Sequence, residues 1–332
     1  MKAITYTEYG PPDVLQFTEV TTPTPKDDEV LIRIRAASVN PLDWHFMRGE
    51  PFFIRLMFGG LLKPKVSRLG VDVAGQVEAV GRNVTQFKPG DEVFGACRGA
   101  FAEYVCTTED RLALKPANIS FEDAAAVPVA AITALQGLRD KGRIQRGQQV
   151  LVDGASGGVG TFAVQIANSF GAEVTAVCST RNVDTARSIG ADHVIDYTRE
   201  DFTQSGQRYD LIMGANAYHS TFEYRRALSQ DGIFVGAGGG SQSLPSMLLG
   251  MLLQSLLSLV GRKKMCGFMA NVNKKDLVVL KDLLAAGKIV PVIDRHYPFS
   301  DVAEALRYIE EGHAKGKVVI TMEHRVNGRG DR

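Results

Sequence analysis

The residues best suited to chemistry sit in one short stretch. Val150-Leu151-Val152-Asp153 reads as an apolar strand and runs directly into Gly154-Ala155-Ser156-Gly157-Gly158-Val159-Gly160. Val159, Phe162, Ala163, Ile166, Ala167 and Phe170 then recur at the i, i+3, i+4, i+7 spacing of a helix, which Gly171 ends. Glycines between a strand and a helix permit a tight turn, let backbone approach a pyrophosphate, and allow the helix to pack closely on its sheet. The helix start adds unpaired N–H groups and the positive end of a dipole. Strand, turn and helix in that order imply a dinucleotide site; the alternative is a glycine-rich connection with no ligand.

A second group follows about 20 residues on, where an Asp or Glu would grip a ribose 2′-hydroxyl. The predicted strand 174–178 is followed there by Ser179-Thr180-Arg181. Two hydroxyls and a guanidinium suit a 2′-phosphate through charge-assisted, bidentate hydrogen bonds, and no carboxylate is expected there to repel it. The implied cofactor is NADP(H) rather than NAD(H). The alternative leaves Arg181 a solvated loop cation.

Metal chemistry finds no such support. Cys97, Cys106, Cys178 and Cys266 form no CxxC pair, and His45, His193, His219, His296, His313 and His324 form no HxxxH pair or Cys/His cluster at zinc spacing. So few, scattered cysteines do not make a secreted disulfide scaffold.

The elements that must position these residues fall into two patterns. Up to about residue 120 the chain reads as short strands, with Val30-Leu31-Ile32-Arg33-Ile34-Arg35-Ala36 alternating and Pro11-Pro12, Lys88-Pro89-Gly90-Asp91 and Lys115-Pro116 as breaks. From 121 the period changes. A helix is predicted over 121–138, then strands at 149–153, 174–178, 193–197, 209–213 and 233–235 alternate with helices or turns, the rhythm of a doubly wound parallel sheet. The tail holds helices at 274–286 and before Gly312 and a last strand at 317–322; it is assigned to the first domain. The expected division is therefore 1–120, completed by 271–332, and 121–270.

With 332 residues the chain is long enough for two domains. A formal charge of +1 and 23% charged residues are poor footing for a nucleic-acid binder or a disordered chain. The apolar stretch 244–260 is too short for a spanning helix, which needs about 20 predominantly apolar residues, and it contains Pro245 and Gln254. It reads as a helix buried at a cleft or subunit contact. With no signal peptide read in MKAITYTEYG, the expected location is cytoplasmic.

Taken together, these motifs resemble the medium-chain dehydrogenase/reductase superfamily, in its zinc-free quinone-reductase and enone-reductase branch. The resemblance is carried by Ala37-Ser38-Val39-Asn40-Pro41-Leu42-Asp43, Gly70-Val71-Asp72-Val73-Ala74-Gly75, Gly90-Asp91-Glu92-Val93-Phe94-Gly95, Pro128–Gln136, the glycine turn, Gly190-Ala191-Asp192-His193-Val194-Ile195-Asp196-Tyr197 and Gly316-Lys317-Val318-Val319-Ile320. It implies an α/β fold, with a GroES-like β-barrel domain beside a Rossmann domain and an active site in the cleft. Zinc ligands of relatives are replaced here, by Asn40 and by Gly70-Val71-Asp72 where a Gly-His-Glu motif would stand, and the cysteine-rich loop after Cys97 is missing.

The implied reaction is hydride delivery from NADPH to a quinone or α,β-unsaturated carbonyl, with a zinc-free alcohol or aldehyde oxidoreductase, or a cofactor-binding interaction protein, as alternatives. Asn40 and Asp43 match polar active-site loop positions. His45 stands where several quinone reductases carry a tyrosine, and reads either as a donor or proton relay or as an exposed loop histidine. The resemblance places cofactor contacts at Thr133, Tyr197, Asn216, Gly236, Gly238 and Lys317, beside Gly154 to Gly160 and Ser179 to Arg181; Thr133, Tyr197 and the second glycine run read equally as packing or turn residues. The run Pro51-Phe52-Phe53-Ile54-Arg55-Leu56-Met57-Phe58 reads as the wall of a greasy cleft or as a core helix. The expected partners are a small hydrophobic carbonyl or quinone and a second copy of the chain, with no nucleic acid and no membrane span.

Overall fold

Alternating apolar residues build the first sheet. A computed structural model of the protein describes residues 1–52, 54–56, 60–65, 67–237, 254, 257–258 and 261–322. Strands β1 (Lys2–Thr5) and β2 (Gln16–Glu19) pair with each other, while β3 (Glu29–Val39), β4 (Asp72–Val80), β5 (Glu92–Ala96), β6 (Tyr104–Thr108) and β7 (Leu112–Leu114) form the main antiparallel unit. Helix α1 (Pro41–Arg48) follows β3 directly. Ile32, Ile34, Val73 and Val93 fill the centre of this unit.

Helix α2 (Phe121–Ala125) lies against β3 and β4 before the chain crosses into α3 (Pro128–Gln136). The single helix expected over 121–138 is thus two helices and a terminal π-helical turn, Gly137–Lys141. Pro128 has no N–H to continue the ladder, so it ends α2 and occupies a first-turn position of α3, where no donor is required.

The second sheet comprises β8 (Gln149–Asp153), β9 (Glu173–Cys178), β10 (His193–Asp196), β11 (Tyr209–Gly214), β12 (Leu228–Gly236) and β13 (Lys264–Gly267), all parallel, with helices α4 (Gly158–Ser169), α5 (Val183–Ser188) and α6 (Thr221–Ala227) between them. The spatial order is β10-β9-β8-β11-β12-β13. The chain builds outward from β8 on one side, then restarts at β11 on the other, so the order reverses between β8 and β11. Ligands of open α/β sheets bind beyond the carboxyl ends of the strands at such a reversal. β13 is a strand beyond those the sequence pattern predicts.

The tail returns to the first sheet as expected. After α7 (Lys274–Ala285), strand β14 (Ile293–Pro298), α8 (Val302–Glu310) and β15 (Lys317–Thr321) complete it, with Val318 opposite Val39 and Ile320 opposite Ala37. α7 itself sits at the junction of the two units: Leu277, Leu280 and Leu284 share one apolar cluster with Val150, Val152 and Phe162 of the second. No helix among the described residues is long and apolar enough to cross a membrane. The stretch 244–260 lies outside the described residues apart from Gln254, Leu257 and Ser258, and so does Gly238.

Beneath the reversal point, the buried Asp153 carboxylate accepts the hydroxyl of Tyr224 from α6. Burial pushes the Asp153 carboxyl above its usual range. Removing the donor leaves a buried acceptor unpaired, so Tyr224→Phe should lower unfolding free energy by about 1–3 kcal/mol. Denaturant titration checks this; an unchanged midpoint would show the bond to be energetically idle.

Candidate active site

The glycine turn lies at the carboxyl end of β8, where the topology places a ligand. Gly154 has φ +81°, and a Cβ there would stand 2.7 Å from Asn216 Cβ, on the loop after β11. A Cβ on Gly160 would come 2.0 Å from the Gly154 carbonyl oxygen, so only glycine lets α4 start so close beneath the turn. The turn is held from both sides: Ala155 N–H donates to Val177 O at 3.0 Å, and Ala215 and Asn216 N–H donate to Asp153 O at 2.9 and 3.3 Å.

At Gly157, the N-cap of α4, a Cβ would meet nothing nearer than Gly154 O at 3.6 Å. The backbone there faces open space along the axis of a helix of 12 residues. An anionic pyrophosphate fits this cradle of open backbone and first-turn N–H groups. Gly154, Ala155, Ser156, Gly157, Gly158, Val159 and Gly160 are therefore brought together, with Asn216 against them and Gly236 at the end of β12, two strands away. Asn216 Nδ2 donates to Tyr218 Oη at 2.9 Å, an exposed tyrosine that the sequence reading missed.

The opposite side of the turn meets a buried charge network from the first sheet. Asp72, fully buried on β4, accepts on Oδ2 from Ser38 Oγ at 2.7 Å, Asn40 Nδ2 at 2.9 Å and Lys317 Nζ at 3.3 Å. Its Oδ1 accepts from Val129 N–H at 2.9 Å, in the first turn of α3. Lys317 Nζ also donates to Asn40 Oδ1 at 2.7 Å and Val39 O at 3.3 Å.

Lys317, expected at the cofactor, thus spends its ammonium on this network. Only its stem touches the turn, its Cδ lying 3.0 Å from the Cβ position of Gly158. The structure thus places its ammonium in the network and its stem against the turn, since a buried ammonium goes to a carboxylate that can neutralise it. Asp72 was missed because strands β3, β4 and β15 and helix α3 give it meaning only once assembled.

This donor set does not fit zinc. An ammonium already neutralises the carboxylate, whose lone pairs are occupied. Among the described residues no group of three His, Cys, Asp or Glu side chains could hold a metal ion.

Asn40 and Asp43 do not lie in a loop but at the start of α1. Asn40 is the N-cap, Pro41 opens the helix, and Asp43 Oδ2 accepts the Asn40 N–H at 2.8 Å. Asn-Pro followed by Asp three residues after the cap was a legible start signal. Asp43 Oδ1 accepts from Gly70 N–H at 3.0 Å, tying α1 to the segment before β4. Thr133, on α3, donates its hydroxyl to Val129 O at 2.7 Å.

His45 is also on α1. No hydrogen bond joins it to the Asp72 network; its ring stacks on Trp44 and Nδ1 lies 2.8 Å from Glu50 O. A carbonyl can only accept, so Nδ1 carries the proton and Nε2 is left as an acceptor. Burial holds its pKa below the usual histidine range. Of the apolar run 51–58, Ile54 is buried while Phe52 and Leu56 are exposed, and Phe53, Met57 and Phe58 lie outside the described residues.

At the ends of β9 and β10 one expectation is overturned. Thr180 does not face a carboxylate-free pocket: its hydroxyl donates to Asp196 Oδ2 at 2.5 Å. Asp196 is carried there by strand pairing, opposite Cys178 in the register of β10 on β9. Ser179 Oγ accepts from Asn182 Nδ2 at 3.1 Å. Arg181 is exposed and makes no hydrogen bond or ion pair with a described residue. Tyr197 is 61% exposed beside them, anchored by its N–H to Cys178 O.

Comparison with known proteins agrees with this layout. Residues 26–117 match the alcohol dehydrogenase GroES-like domain, and residues 189–320 match the zinc-binding dehydrogenase family. The chain is 37% identical to 2-methylene-furan-3-one reductase of Solanum lycopersicum, over 96% of this chain and 79% of that protein. The chain belongs to the medium-chain dehydrogenase/reductase superfamily, in its quinone-oxidoreductase-like branch. It is 34% identical to the chloroplastic quinone-oxidoreductase homolog of Spinacia oleracea, over 96% of this chain and 98% of that one. Among solved structures, the quinone oxidoreductase of Escherichia coli complexed with NADPH superposes with a TM-score of 0.81 at 27% identity, covering 97% of this chain and all of the other. The two units are thus the GroES-like and Rossmann-like parts of an oxidoreductase, and its cofactor is a nicotinamide dinucleotide.

Burial pushes the Asp43 carboxyl up to about 7, against the two backbone N–H groups that favour its ionised form and with Asp72 adding repulsion. The folded state therefore holds a proton that the unfolded chain, titrating near 3.8, has released. This contribution to stability is complete below about pH 4 and is lost as pH rises through about 7. Comparing denaturation of wild type and Asp43→Asn at pH 5 and pH 8 should show a steeper loss in the wild type, by roughly a few kcal/mol. Parallel pH profiles would show that Asp43 titrates normally.

Proposed function

We propose that the protein is a zinc-independent, NADPH-dependent reductase of quinones and α,β-unsaturated carbonyls. The observation that carries this reading is the junction itself. A dinucleotide cradle opens at the strand reversal, directly against a buried Asn40–Asp72–Lys317 network whose donors are matched to one another rather than to a metal. The reductase and quinone-oxidoreductase names of the relatives, and the NADPH complex of the E. coli enzyme, support the same choice.

When bound, the nicotinamide supplies a hydride, which only an already electron-poor acceptor takes without Lewis-acid assistance. The chain's task is placement. The glycine turn and α4 hold the pyrophosphate, and Asn216 closes over the turn. The Asp72 network fixes α3, and hence Thr133, relative to the first sheet. Asn40 Nδ2 donates one of its two N–H groups to Asp72; the other is the donor we assign to the acceptor oxygen that gains negative charge. Asp43 positions Asn40 through the N-cap hydrogen bond. His45, through Nε2, is the remaining side chain of the three that can exchange a proton with solvent.

The location we assign is the cytoplasm, in keeping with four free cysteines, although the spinach relative is named chloroplastic. We assign a homodimer, since β13 ends its sheet with one paired neighbour among the described residues.

NADPH consumption against quinones, α,β-unsaturated carbonyls and saturated aldehydes, with and without chelator, tests the reaction. Turnover with the first two classes, unaffected by chelator, is expected. Turnover of saturated aldehydes alone, or loss of activity in chelator, would overturn it, and NADPH binding without turnover would favour an interaction protein.

Arg181 gives the cofactor test. A hydrogen bond to a charged group is worth ~1.5–3 kcal/mol, so Arg181→Ala should weaken NADPH by roughly ten- to a hundredfold at ~1.4 kcal/mol per decade. NADH, lacking the phosphate, should be nearly unchanged. Equal weakening of both would mean that Arg181 only supports the loop.

A further inference from the structure

The carboxylate of Asp196 occupies an unusual position for a chain read as binding a 2′-phosphate. The usual acidic discriminator sits at the end of the second strand, yet β9 ends in Cys178-Ser179-Thr180-Arg181 with no acid. The third strand supplies one instead. Register places Asp196 level with Cys178, and its Oδ2 takes the Thr180 hydroxyl.

The contacts around Asp196 suit an ionised acceptor, and the Thr180 and Thr198 hydrogen bonds hold its pKa below the usual range. Oδ1 accepts from Thr198 N–H at 3.0 Å and Thr198 Oγ1 at 2.8 Å, and Arg199 Nε lies 3.5 Å from Oδ2. The Arg199 side chain is 76% exposed against 12% for Asp196, so their ion pair lies at the surface, where it is weakened by solvent and salt. Thr180 Oγ1 also lies 3.0 Å from Thr198 Oγ1. With its proton committed to Asp196, Thr180 Oγ1 has only lone pairs left to offer, which a phosphate cannot use.

We propose that Asp196 is a specificity-determining residue that holds the NADPH preference down and keeps NADH usable. It acts in two ways. Its charge repels a 2′-phosphate drawn in by Arg181, and it withholds the Thr180 proton that the phosphate would accept. A ribose 2′-hydroxyl, by contrast, can donate to the same carboxylate or to the lone pairs of Thr180. Arg181 and Asp196 thus pull in opposite directions across one short turn, and the cofactor ratio is their balance. This inference rests on the dinucleotide reading above.

Asp196→Asn removes the charge while keeping the shape, and its amide can donate to Thr180 Oγ1, freeing the threonine proton for the phosphate. Titration of NADPH and NADH against wild type and variant should show NADPH tightening and NADH weakening. The ratio of their affinities is expected to rise by roughly ten- to a hundredfold, the size of one charge-assisted bond with a screened charge contact beside it. Raised salt should narrow the gap between wild type and variant, since part of it is screened charge. An unchanged ratio, or one moving toward NADH, overturns the proposal. Wild-type binding is the separate control: failure of the wild type to bind either cofactor would sink the dinucleotide reading, whereas normal binding with an unchanged ratio in the variant sinks only the role of Asp196. Thr180→Val in the Asp196→Asn background isolates the two effects. It should cancel the part due to the freed proton and retain the part due to charge, and identical ratios in the single and double variants would remove Thr180 from the account.

Discussion

The ion pair between Asp72 and Lys317 is the constraint on which the rest of the arrangement depends. The two residues are 245 positions apart in the chain, and both are almost wholly buried. Breaking such a pair by removing one partner typically costs about 3–5 kcal/mol, because the other charge is left uncompensated in the interior. Only one assembly avoids that cost: β15 must lie antiparallel on β3, β3 on β4, and the first turn of α3 must present Val129 N–H to the same carboxylate. The pair is thus costly to break, and it is complete only when the last strand and α3 both reach the first sheet. It fixes where the last strand goes and how the two units meet.

The same constraint sets the depth of the cleft. The Lys317 stem fills the space under Gly158, so the helix that cradles the pyrophosphate is packed against the strand that carries the ammonium. Movement of the first sheet relative to α4 would carry Lys317, Asn40 and Asp72 together and strip the Lys317 stem from Gly158. The Asp153 carbonyl, holding Ala215 and Asn216, and the Tyr224 hydroxyl beneath it do for the second sheet what Asp72 does for the first. Both ends of the candidate site are thus anchored by a buried carboxylate on a strand, and each carboxylate is satisfied by groups from other elements.

What could be read beforehand follows from how local the physical requirement is. The glycine turn was legible because a positive φ at Gly154 and the 2.0 Å approach at Gly160 are demands of the backbone that only one residue type meets. The parallel sheet was legible from its rhythm, and the return of the tail to the first sheet from its strand pattern. α1 was legible too, since Asn40, Pro41 and Asp43 spell a helix start, although the family resemblance implies a loop there. Asp72 and Lys317 were not legible as a pair. Nothing in either local stretch names the other; only the pairing of β15 on β3 and β3 on β4 brings them together. Asp196 is the same lesson at smaller scale: it follows Cys178 by 18 positions yet stands opposite it, because a parallel strand pair sets residues by register rather than by distance along the chain.

Cofactor choice in this fold is then a property of the sheet's edge rather than of one turn. The end of β9 offers a cation and hydroxyls, which alone would favour a phosphate; the end of β10 adds a carboxylate that takes one of those hydroxyls for itself. Because the two strands are hydrogen-bonded in fixed register, Asp196 is held opposite Cys178 beside that turn. Chemistry at the far side of the cleft is arranged differently. There the charges are paired inside the protein, with Lys317 facing Asp72, so no net charge is left to select among ligands. On the proposed reading, discrimination between cofactors is carried by Arg181 and Asp196 at one end of the cleft, and alignment for reaction by the buried, mutually satisfied Asp72 and Lys317 at the other. Substitutions at the first end should move specificity with little effect on folding, whereas those at the second act on the fold before they reach the chemistry.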